Sequence, residues 1–389
     1  MKRILLFECF SYGHSVNSLL LFLHSEALRE LCRKGGWKIT LLVSGKVAEQ
    51  IEAACAPHGP ALVLKRFPTL HDISSWRSRF YACLYLIRVL RENRYDRVLV
   101  LEGDLHVLFA PLIRVFASRS DLLYLLFRPI MCYKELGYPI HLYNGALYYR
   151  PLVQNYIALL FYRMRFISGF LFEDENAVGW CRCRRIKAER LPTPGVFQAK
   201  RAKTASSLLR FTLYGVISEV KSASNIIQAW SMLPPKIKST SKLCIKGRLL
   251  NRDTAAIRDR MSEIDDESIE FCDAFLDNEA VEDLLADSDI ILLLYTPIHV
   301  GCSGVLVQAA ATETPVLATN MGWIGYATRK YGLGQVVDEL DPETIKNALT
   351  HCVEQGISCN KIAALQFSAG FDAASYGRAF VHIVMDGVS

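Results

Sequence analysis

The sequence predicts an α/β protein made of two tandem doubly wound domains. Its 389 residues exceed the length that a single hydrophobic core usually serves. Short apolar runs alternate with longer amphipathic segments, and this alternation is typical of parallel sheets covered by helices. The alternation stops around residues 191–207, where prolines and small residues favour a linker between the domains.

The first domain is predicted over residues 1–195. Its apolar runs indicate buried parallel strands, and the amphipathic segments 16–34 and 76–93 indicate helices. The expected strands lie near 3–9, 38–43, 61–64, 97–102 and 122–127. The start of the chain has a basic and then apolar pattern, but Glu8 interrupts the apolar run, so a first strand is expected there rather than a signal peptide.

A second apolar stretch, residues 156–172, carries Arg163 and Arg165 near its centre. Two central arginines disfavour a membrane-spanning segment, and one basic amphipathic helix is predicted instead. Such a helix would either contact a membrane surface or lie buried in the domain with its guanidinium groups reaching water. Peripheral membrane contact through the basic first domain is therefore an open possibility.

The second domain is predicted over residues 205–366. Its expected strands are 208–214, 242–246, 268–272 and 290–294, and its expected helices are 222–233, 252–263 and 278–287. The amphipathic segment from Phe367 to the C-terminus has no strand after it. This segment is therefore expected to form a helix that packs back on the first domain.

Composition narrows the class of protein. The chain is 51% hydrophobic and 22% charged, as in ordinary globular proteins, so disorder is not indicated. The net charge is +6, with the basic excess in the first domain, which favours an anionic surface or substrate; nucleic acid is not an expected partner. Most of the twelve cysteines lie in apolar runs, so we expect reduced thiols in a cytoplasmic protein and no structural zinc.

The segment after the strand 290–294 has the features of an anion-binding turn. Gly301 precedes a predicted helix that starts near Ser303, and Gly304 lies in its first turn. A helix N-terminus offers unpaired N–H groups and a partial positive charge, and glycine allows a phosphate to approach the backbone. An ordinary strand-to-helix turn that binds nothing is the alternative.

Polar residues also follow the strands of the first domain. Gly13 and His14 follow the first strand, Asp104 and His106 follow the fourth, and Arg128 follows the fifth. The carboxyl ends of parallel strands meet at one edge, where such sheets bind ligands. His14 and His106 are thus candidate catalytic groups, and Asp104 and Arg128 are candidate acceptor-binding groups. The alternatives are helix capping for His14 and Asp104 and a surface ion pair for Arg128.

Several landmarks of the second domain occur in one order and resemble the donor domain of the retaining glycosyltransferases of family 4. They are Tyr214-Gly215 with Lys221, Leu243 to Arg248, Asp273 to Leu276, the apolar run to Tyr295, the glycine turn, Thr314 to Ala318, and Gly332 to Asp338. The resemblance covers about residues 190–345. It implies the GT-B fold, in which two Rossmann-like domains face each other across a cleft and the second domain binds a nucleotide sugar.

The resemblance also implies roles for individual residues. Lys221 would contact the donor diphosphate and act as a catalytic group by stabilising its charge as it leaves, and Gly13 would let the sugar approach the backbone. The other implied donor-binding residues are Gly215, His299, Gly301, Cys302, Ser303, Gly304, Val305 and Gln308. Lys246 or Arg248 is a further candidate for the phosphates. The family usually has two glutamates eight positions apart, and this chain has Val300 and Gln308 there.

The resemblance implies retaining transfer of a hexose from a nucleotide diphosphate sugar to a hydroxyl of a glycan, a lipid-linked molecule or a small molecule. In that mechanism the leaving diphosphate helps to deprotonate the acceptor, so neither a metal ion nor a cofactor is expected. Two alternatives remain open. Val300 and Gln308 favour a non-catalytic partner or regulatory subunit of another transferase, and a sugar-nucleotide epimerase would use the same two-domain fold.

Overall fold

The computed structural model describes residues 1–9, 14–69, 75–135, 146–192, 207–250, 253–264 and 266–388. The strands are β1 (Lys2–Glu8), β2 (Trp37–Ser44), β3 (Leu62–Phe67), β4 (Arg97–Val100), β5 (Asp121–Leu125), β6 (Gly169–Phe172), β7 (Ala188–Arg190), β8 (Leu209–Tyr214), β9 (Ser241–Lys246), β10 (Ile269–Cys272), β11 (Ile290–Leu293), β12 (Val316–Thr319) and β13 (Gly334–Val337).

Helices cover the sheets. Those that precede β8 are α1 (His14–His24), α2 (Glu26–Lys34), α3 (Gly45–Cys55), α4 (Trp76–Glu92), α5 (Gly103–His106), α6 (Ala110–Phe116), α7 (Ile130–Glu135), α8 (Ala146–Arg163) and α9 (Glu175–Cys183). Those that follow it are α10 (Ala223–Ser231), α11 (Pro235–Lys238), α12 (Thr254–Glu263), α13 (Asn278–Asp287), α14 (Gly304–Ala311), α15 (Gly322–Tyr331), α16 (Pro342–Gln355), α17 (Lys361–Ala369) and α18 (Ala373–Asp386). Among the helices so described, none is both long and apolar enough to cross a membrane.

The chain divides into two compact units, and in the described residues these are 1–192 with 371–388, and 207–370. Over these ranges the first unit contains a seven-stranded sheet of order β3-β2-β1-β4-β5-β6-β7, and the second contains a six-stranded sheet of order β10-β9-β8-β11-β12-β13. The paired strands are parallel. The predicted pair of doubly wound α/β domains is confirmed.

The strand order reverses at one point in each sheet. The reversal lies between β1 and β4 in the first sheet and between β8 and β11 in the second. At such a point the connections leave on opposite faces, so a crevice opens beyond the carboxyl ends of the two strands. The connections after β1, β4, β8 and β11 are therefore the places where each unit is built to bind a ligand.

The C-terminal helix α18 packs on the first unit. Its Phe380 ring lies 4.0 Å from that of Phe22 in α1, and both side chains are buried. The same apolar cluster includes Leu28 of α2 and Ile4 of β1. The chain thus returns to its N-terminal unit after completing the second sheet.

The single helix predicted over 156–172 is wrong. Helix α8 ends at Arg163, and the remainder forms a turn and the strand β6. Arg165 adopts a left-handed conformation with a φ of 63°, and the Phe166 N–H bonds to the Phe161 carbonyl, a pattern that ends helices. Ser168 N then donates to the Leu122 carbonyl of the neighbouring strand region at 2.8 Å. Continuous apolar character hides such a change of structure, because buried helices and buried strands share it.

The predicted helix 16–34 is two helices. The Ser25 hydroxyl accepts a hydrogen bond from Leu28 N at 3.3 Å and donates one to the Phe22 carbonyl at 2.7 Å. A serine that caps the following turn competes with continuation of the helix. The chain therefore changes direction at Ser25 while its apolar residues stay on the core.

Candidate functional site

Backbone contacts join the connections that follow β8, β9 and β11. Gly215 N donates to the Lys246 carbonyl at 3.1 Å, and Thr296 N donates to the Val220 carbonyl at 2.8 Å. Gly247, with a φ of 146°, lies so close to Gly215 that a Cβ atom would approach the Gly215 oxygen to 1.8 Å. Only glycine fits there, and the close approach fixes the carboxyl edge of the second sheet.

Lys221 lies at this edge, on a short 3-10 turn at Glu219–Lys221. Its Nζ donates to the Tyr214 carbonyl at 2.5 Å and lies 5.4 Å from the centre of the Tyr295 ring. Gly215 provides the room, since a Cβ there would be 3.1 Å from this Nζ. Among the described residues no ion pair joins Lys221 to a carboxylate. Burial of the amino group lowers the pKa of Lys221 to about 8, because the charged form loses hydration.

Tyr295 connects Lys221 to the connection that precedes α14. Its buried phenol makes a side-chain hydrogen bond with Ser303, while burial raises its pKa. The His299 ring packs edge-on against the Tyr295 ring with centroids 4.9 Å apart. His299 Nε2 lies 3.2 Å from the Cys302 carbonyl, and because a carbonyl only accepts, this nitrogen carries the hydrogen.

Helix α14 begins at Gly304, as the glycine turn predicts. Its N-cap residue Ser303 has an extended backbone and makes no capping hydrogen bond with its side chain. The first bond of this helix runs from Val307 N to the Ser303 carbonyl at 3.2 Å. The amides of residues 304–306 precede that bond, so the helix itself supplies no acceptor for them. Gly304 is exposed, Val305 is half-buried, and Gly301 is buried.

Val300 and Gln308 both have protein partners. The Tyr214 hydroxyl donates to Gln308 Oε1 at 2.9 Å. Val300 is 1% exposed, and its carbonyl accepts from Trp323 N at 2.9 Å. Gly322 at the start of α15 passes close by, since its Cβ would lie 2.7 Å from the Val300 oxygen. Val300 is thus fixed by its backbone, and the amide nitrogen of Gln308 is the group left for a ligand.

Two hydroxyls at this edge escaped sequence analysis. Ser222 Oγ and Thr296 Oγ1 are buried and have no hydrogen-bond partner among the described residues. Ser222 follows Lys221 directly and has a φ of 52°, a strained conformation for a residue with a side chain. Thr296 follows Tyr295 and hydrogen-bonds through its backbone to Val220. The sequence feature that could have indicated them is that each directly follows a residue of this edge, Lys221 or Tyr295. Lys246, in contrast, pairs with Glu270 at 2.6 Å, and Arg248 is exposed.

The first unit places its predicted residues in two environments. Asp104 Oδ2 accepts from Phe127 N at 2.7 Å and lies within electrostatic range of the exposed Arg128, so the structure brings these two residues together. Desolvation raises the pKa of Asp104. Gly13 lies outside the described residues. His14 begins α1, and its side chain is also outside that description.

His106 lies in the core and is 0% exposed. Its Nδ1 is 3.1 Å from the Glu102 carbonyl and 3.8 Å from Cys9 Sγ, and its Nε2 is buried with no hydrogen-bond partner in the part of the chain that the structure describes. The ring packs edge-on against Phe7 at 5.1 Å. Burial lowers the pKa of His106 to about 4, so the ring is neutral near pH 7. Protein atoms enclose the ring of His106. Its catalytic role stays a prediction.

We expect His106 to make the protein sensitive to mild acid. Its folded pKa is below the usual 6.5, so the unfolded chain binds the extra proton first; stability from this group is present above pH 6.5 and is lost as the pH falls towards 4. His106→Leu should remove about 3 kcal/mol of that pH dependence. Urea unfolding at several pH values measures it. The same change at exposed His382 is the control, and equal slopes for wild type and His106→Leu would contradict the assignment.

Two buried carboxyl groups after β6 also escaped sequence analysis. Burial and the neighbouring Asp174 raise the pKa of Glu173 to about 8, and burial raises that of Asp174 to about 7. The Tyr133 hydroxyl donates to Asp174, and Asn176 N donates to the same carboxylate at 2.7 Å. Candidate residues were sought at the ends of predicted strands. Because the sequence predicts a helix where β6 lies, the residues after β6 were missed.

Most of the second unit matches a protein family. Residues 210–355 match the protein family described as Glycosyl transferases group 1. This segment is similar to the group 1 glycosyltransferases. It extends from the second residue of β8 through β13 and therefore contains every residue of the second-unit edge described above. Among curated protein sequences, none matches the chain significantly.

The whole chain resembles solved structures at low sequence identity. HepE of Anabaena, in complex with UDP and glucose, superposes with a TM-score of 0.67 at 13% identity and covers 99% of this chain and 100% of that chain. The lipopolysaccharide outer core galactosyltransferase WaaB gives 0.61 at 12%, covering 99% of each chain. MnaA of S. aureus, solved with UDP, gives 0.59 at 12%, covering 100% of this chain and 98% of that chain. The group 1 segment thus lies in a chain with the GT-B fold.

Proposed function

We propose that the protein is a glycosyltransferase that transfers a hexose from a nucleotide diphosphate sugar with retention of anomeric configuration. The observation that supports it is the arrangement of Lys221, Tyr295 and Ser303 in a segment that matches the group 1 family. An ammonium that has no carboxylate partner in the described part of the chain and an uncapped helix N-terminus both neighbour Tyr295. Both are suited to a diphosphate, since each offers positive charge or N–H donors.

The donor would be held by groups of different kinds. Lys221 and the amides at the start of α14 would contact the diphosphate. The main-chain atoms close to it would be those of Gly215, Gly301, Cys302, Ser303, Gly304 and Val305. The amide nitrogen of Gln308 would contact the ribose in place of a carboxylate, a change worth on the order of 1 kcal/mol for each hydrogen bond. His299 would face the donor from the same connection. HepE and MnaA, which share the fold, were solved with UDP.

In the proposed reaction, the bond between the anomeric carbon and the diphosphate oxygen breaks while the acceptor oxygen bonds to that carbon from the same face. The acceptor proton passes to the leaving diphosphate oxygen, so no protein base is required. The contribution of Lys221 is to stabilise the negative charge that develops on the diphosphate. Asp104 and Arg128 of the first unit are proposed to bind the acceptor, which is a glycan, a lipid-linked molecule or a small molecule. The proposed reaction needs no metal ion or cofactor.

The test uses the purified full chain and a panel of UDP-, GDP- and ADP-sugars. We expect donors of one base to raise the melting temperature, and we expect nucleotide release when an acceptor is added in the presence of EDTA. NMR of the product gives its anomeric configuration, and an inverted product would refute retention. The absence of a melting shift with every nucleotide sugar would refute the proposal as a whole.

A non-catalytic partner of another transferase is the second candidate. It is favoured by the Tyr214–Gln308 hydrogen bond. Gln308 stands where the family usually has its second glutamate, and this bond occupies the side-chain oxygen of Gln308. The two candidates differ in turnover. A melting shift with a nucleotide sugar, without release of nucleotide under any acceptor condition, would support the non-catalytic protein.

A further inference from the structure

An exposed apolar surface covers one side of the first unit. We define the docking face as the solvent side of α4, of residues 107–116 and of α8. These segments are neighbours: α4 contacts α6, and α8 contacts residues 107–109. The centres of the Phe109 ring and the Trp76 ring are 6.4 Å apart, so residues 107–116 and α4 are also in contact through their aromatic side chains. Because the connections after β3, β4 and β5 advance across the sheet in one direction, right-handed crossovers place all three segments on the same side.

Each helix of the docking face has apolar side chains where soluble helices usually have polar ones. On α8 the exposed positions are Val153, Tyr156, Leu160 and then Met164, at spacings of three and four residues. On α4 and residues 107–116 they are Trp76, Tyr81, Leu84, Leu108, Leu112, Val115 and Phe116. Trp76 is 61% exposed and Val115 is 68% exposed. Scattered apolar residues are normal on a surface, but three adjacent apolar stripes form a patch that indicates an interaction.

The charges on the docking face are mostly positive. Its exposed arginines and those at its margins are Arg77, Arg88, Arg91, Arg119, Arg150, Arg163 and Arg165. In the sequence of residues 76–92, 107–120 and 146–166, the only acidic residue is Glu92. Glu92 already pairs with Lys65 at 2.9 Å and with Arg88 at 3.3 Å. A partner that covers this face must therefore supply apolar contact together with negative charge.

We propose that the docking face binds the surface of an anionic lipid bilayer. Apolar and aromatic side chains enter the boundary between headgroups and acyl chains, while arginines around them contact lipid phosphates; these two contributions are the ones that hold interfacial helices on membranes. The three segments are neighbours on one side of the sheet, so together they offer an extended surface. The charge argues against a second copy of the chain, since two docking faces brought together would place arginines opposite arginines.

The experiment is flotation of the full-length protein with vesicles of phosphatidylcholine alone or mixed with phosphatidylglycerol. We expect the protein to float with the mixed vesicles and to stay unbound with phosphatidylcholine alone. Replacement of Arg77, Arg91 and Arg163 by glutamate should weaken binding at least about fivefold for each arginine, because each contributes about that factor near an anionic surface. The double variant Val153→Ser and Leu160→Ser should weaken it about tenfold without changing the charge.

The control variants are Lys236→Glu and Ile362→Ser, which change exposed residues of the second unit and should bind as wild type. Circular dichroism of every variant shows whether it is folded. Absence of wild-type flotation with the mixed vesicles would overturn the proposal, as would equal flotation with both lipid compositions. A dimer in sedimentation that the serine variants dissociate would overturn it in favour of self-association. None of these measurements uses a nucleotide sugar, so they stand apart from the proposed transferase activity.

Discussion

The Lys221→Met variant is expected to lose donor binding while its unliganded fold becomes more stable. The loss follows from removal of the one ammonium that faces the proposed diphosphate, and we expect kcat/KM to fall about 100-fold or more. The gain follows from the lowered pKa of Lys221, because a buried ammonium costs free energy that a thioether does not. We expect a stabilisation of about 1–2 kcal/mol at pH 7, measured by urea unfolding without ligand.

The pH dependence provides a second measurement on the same lysine. Above pH 8 the free protein increasingly holds Lys221 as a neutral amine, so affinity for UDP should fall as the pH rises from about 8 towards 10. In Lys221→Arg the guanidinium stays charged, and the affinity should change little over this interval. Calorimetric titration with UDP at a series of pH values compares the two proteins. A wild-type affinity that is constant across this interval would contradict the role of Lys221.

Lys246→Met is the matched control for Lys221→Met. Lys246 also ends a strand at the same edge, but its ammonium pairs with Glu270 at 2.6 Å. Its replacement should leave UDP affinity within about threefold of wild type, because an exposed ion pair contributes little. If both variants lost binding equally, the charge of the edge as a whole, and not Lys221 in particular, would be responsible.

The Gly322→Ala variant is expected to destabilise the second unit by about 3 kcal/mol and to abolish donor binding. A methyl group at this position meets the Val300 oxygen at 2.7 Å and its Cα at 2.8 Å, in a backbone with a φ of 55°. The backbone conformation alone costs an alanine about 1–2 kcal/mol, and relief of the overlap moves Val300 and the turn that leads to α14. Urea unfolding and UDP titration measure the two effects.

Gly332→Ala isolates the backbone contribution. Gly332 has a φ of 58°, nearly that of Gly322, but its Cβ would meet only Asn360 Cβ, at 3.4 Å. We therefore expect a cost of about 1 kcal/mol and unchanged affinity for UDP. Equal loss of stability in the two variants would show that the Val300 turn adapts to the methyl group, and the proposed rigidity of the site would be wrong.

The sequence predicts most of the fold because the strands of a parallel sheet are buried on both faces and appear as separate apolar runs. The apolar runs correctly predicted the strands β1 to β5 and β8 to β11. The prediction failed at Gly169–Phe172, where a helix, a short turn and a strand share one apolar stretch. It failed also at Ser25, where the core-facing pattern continues through a change of helix direction.

The parts of the candidate site that depend on the course of the backbone could be predicted from the sequence. The start of α14 and the location of Lys221 after β8 follow from strand ends and glycines. The direction of a side chain is not encoded in the same way, and His106, which follows a strand as Asp104 does, turns into the core instead. Tyr295 was missed as a central contact because an aromatic residue at the end of an apolar run has the same pattern as ordinary core packing.

The environment of Lys221 has a thermodynamic consequence for the second unit. Its ammonium rests on a carbonyl oxygen and the face of an aromatic ring, with burial as the cause of its lowered pKa. This edge therefore carries a positive charge that no carboxylate among the described residues pairs with, and the diphosphate of the proposed donor would supply the counter-charge. Occupancy and folding are then coupled: a ligand at 100 times its dissociation constant adds about 2.7 kcal/mol to the unfolding free energy.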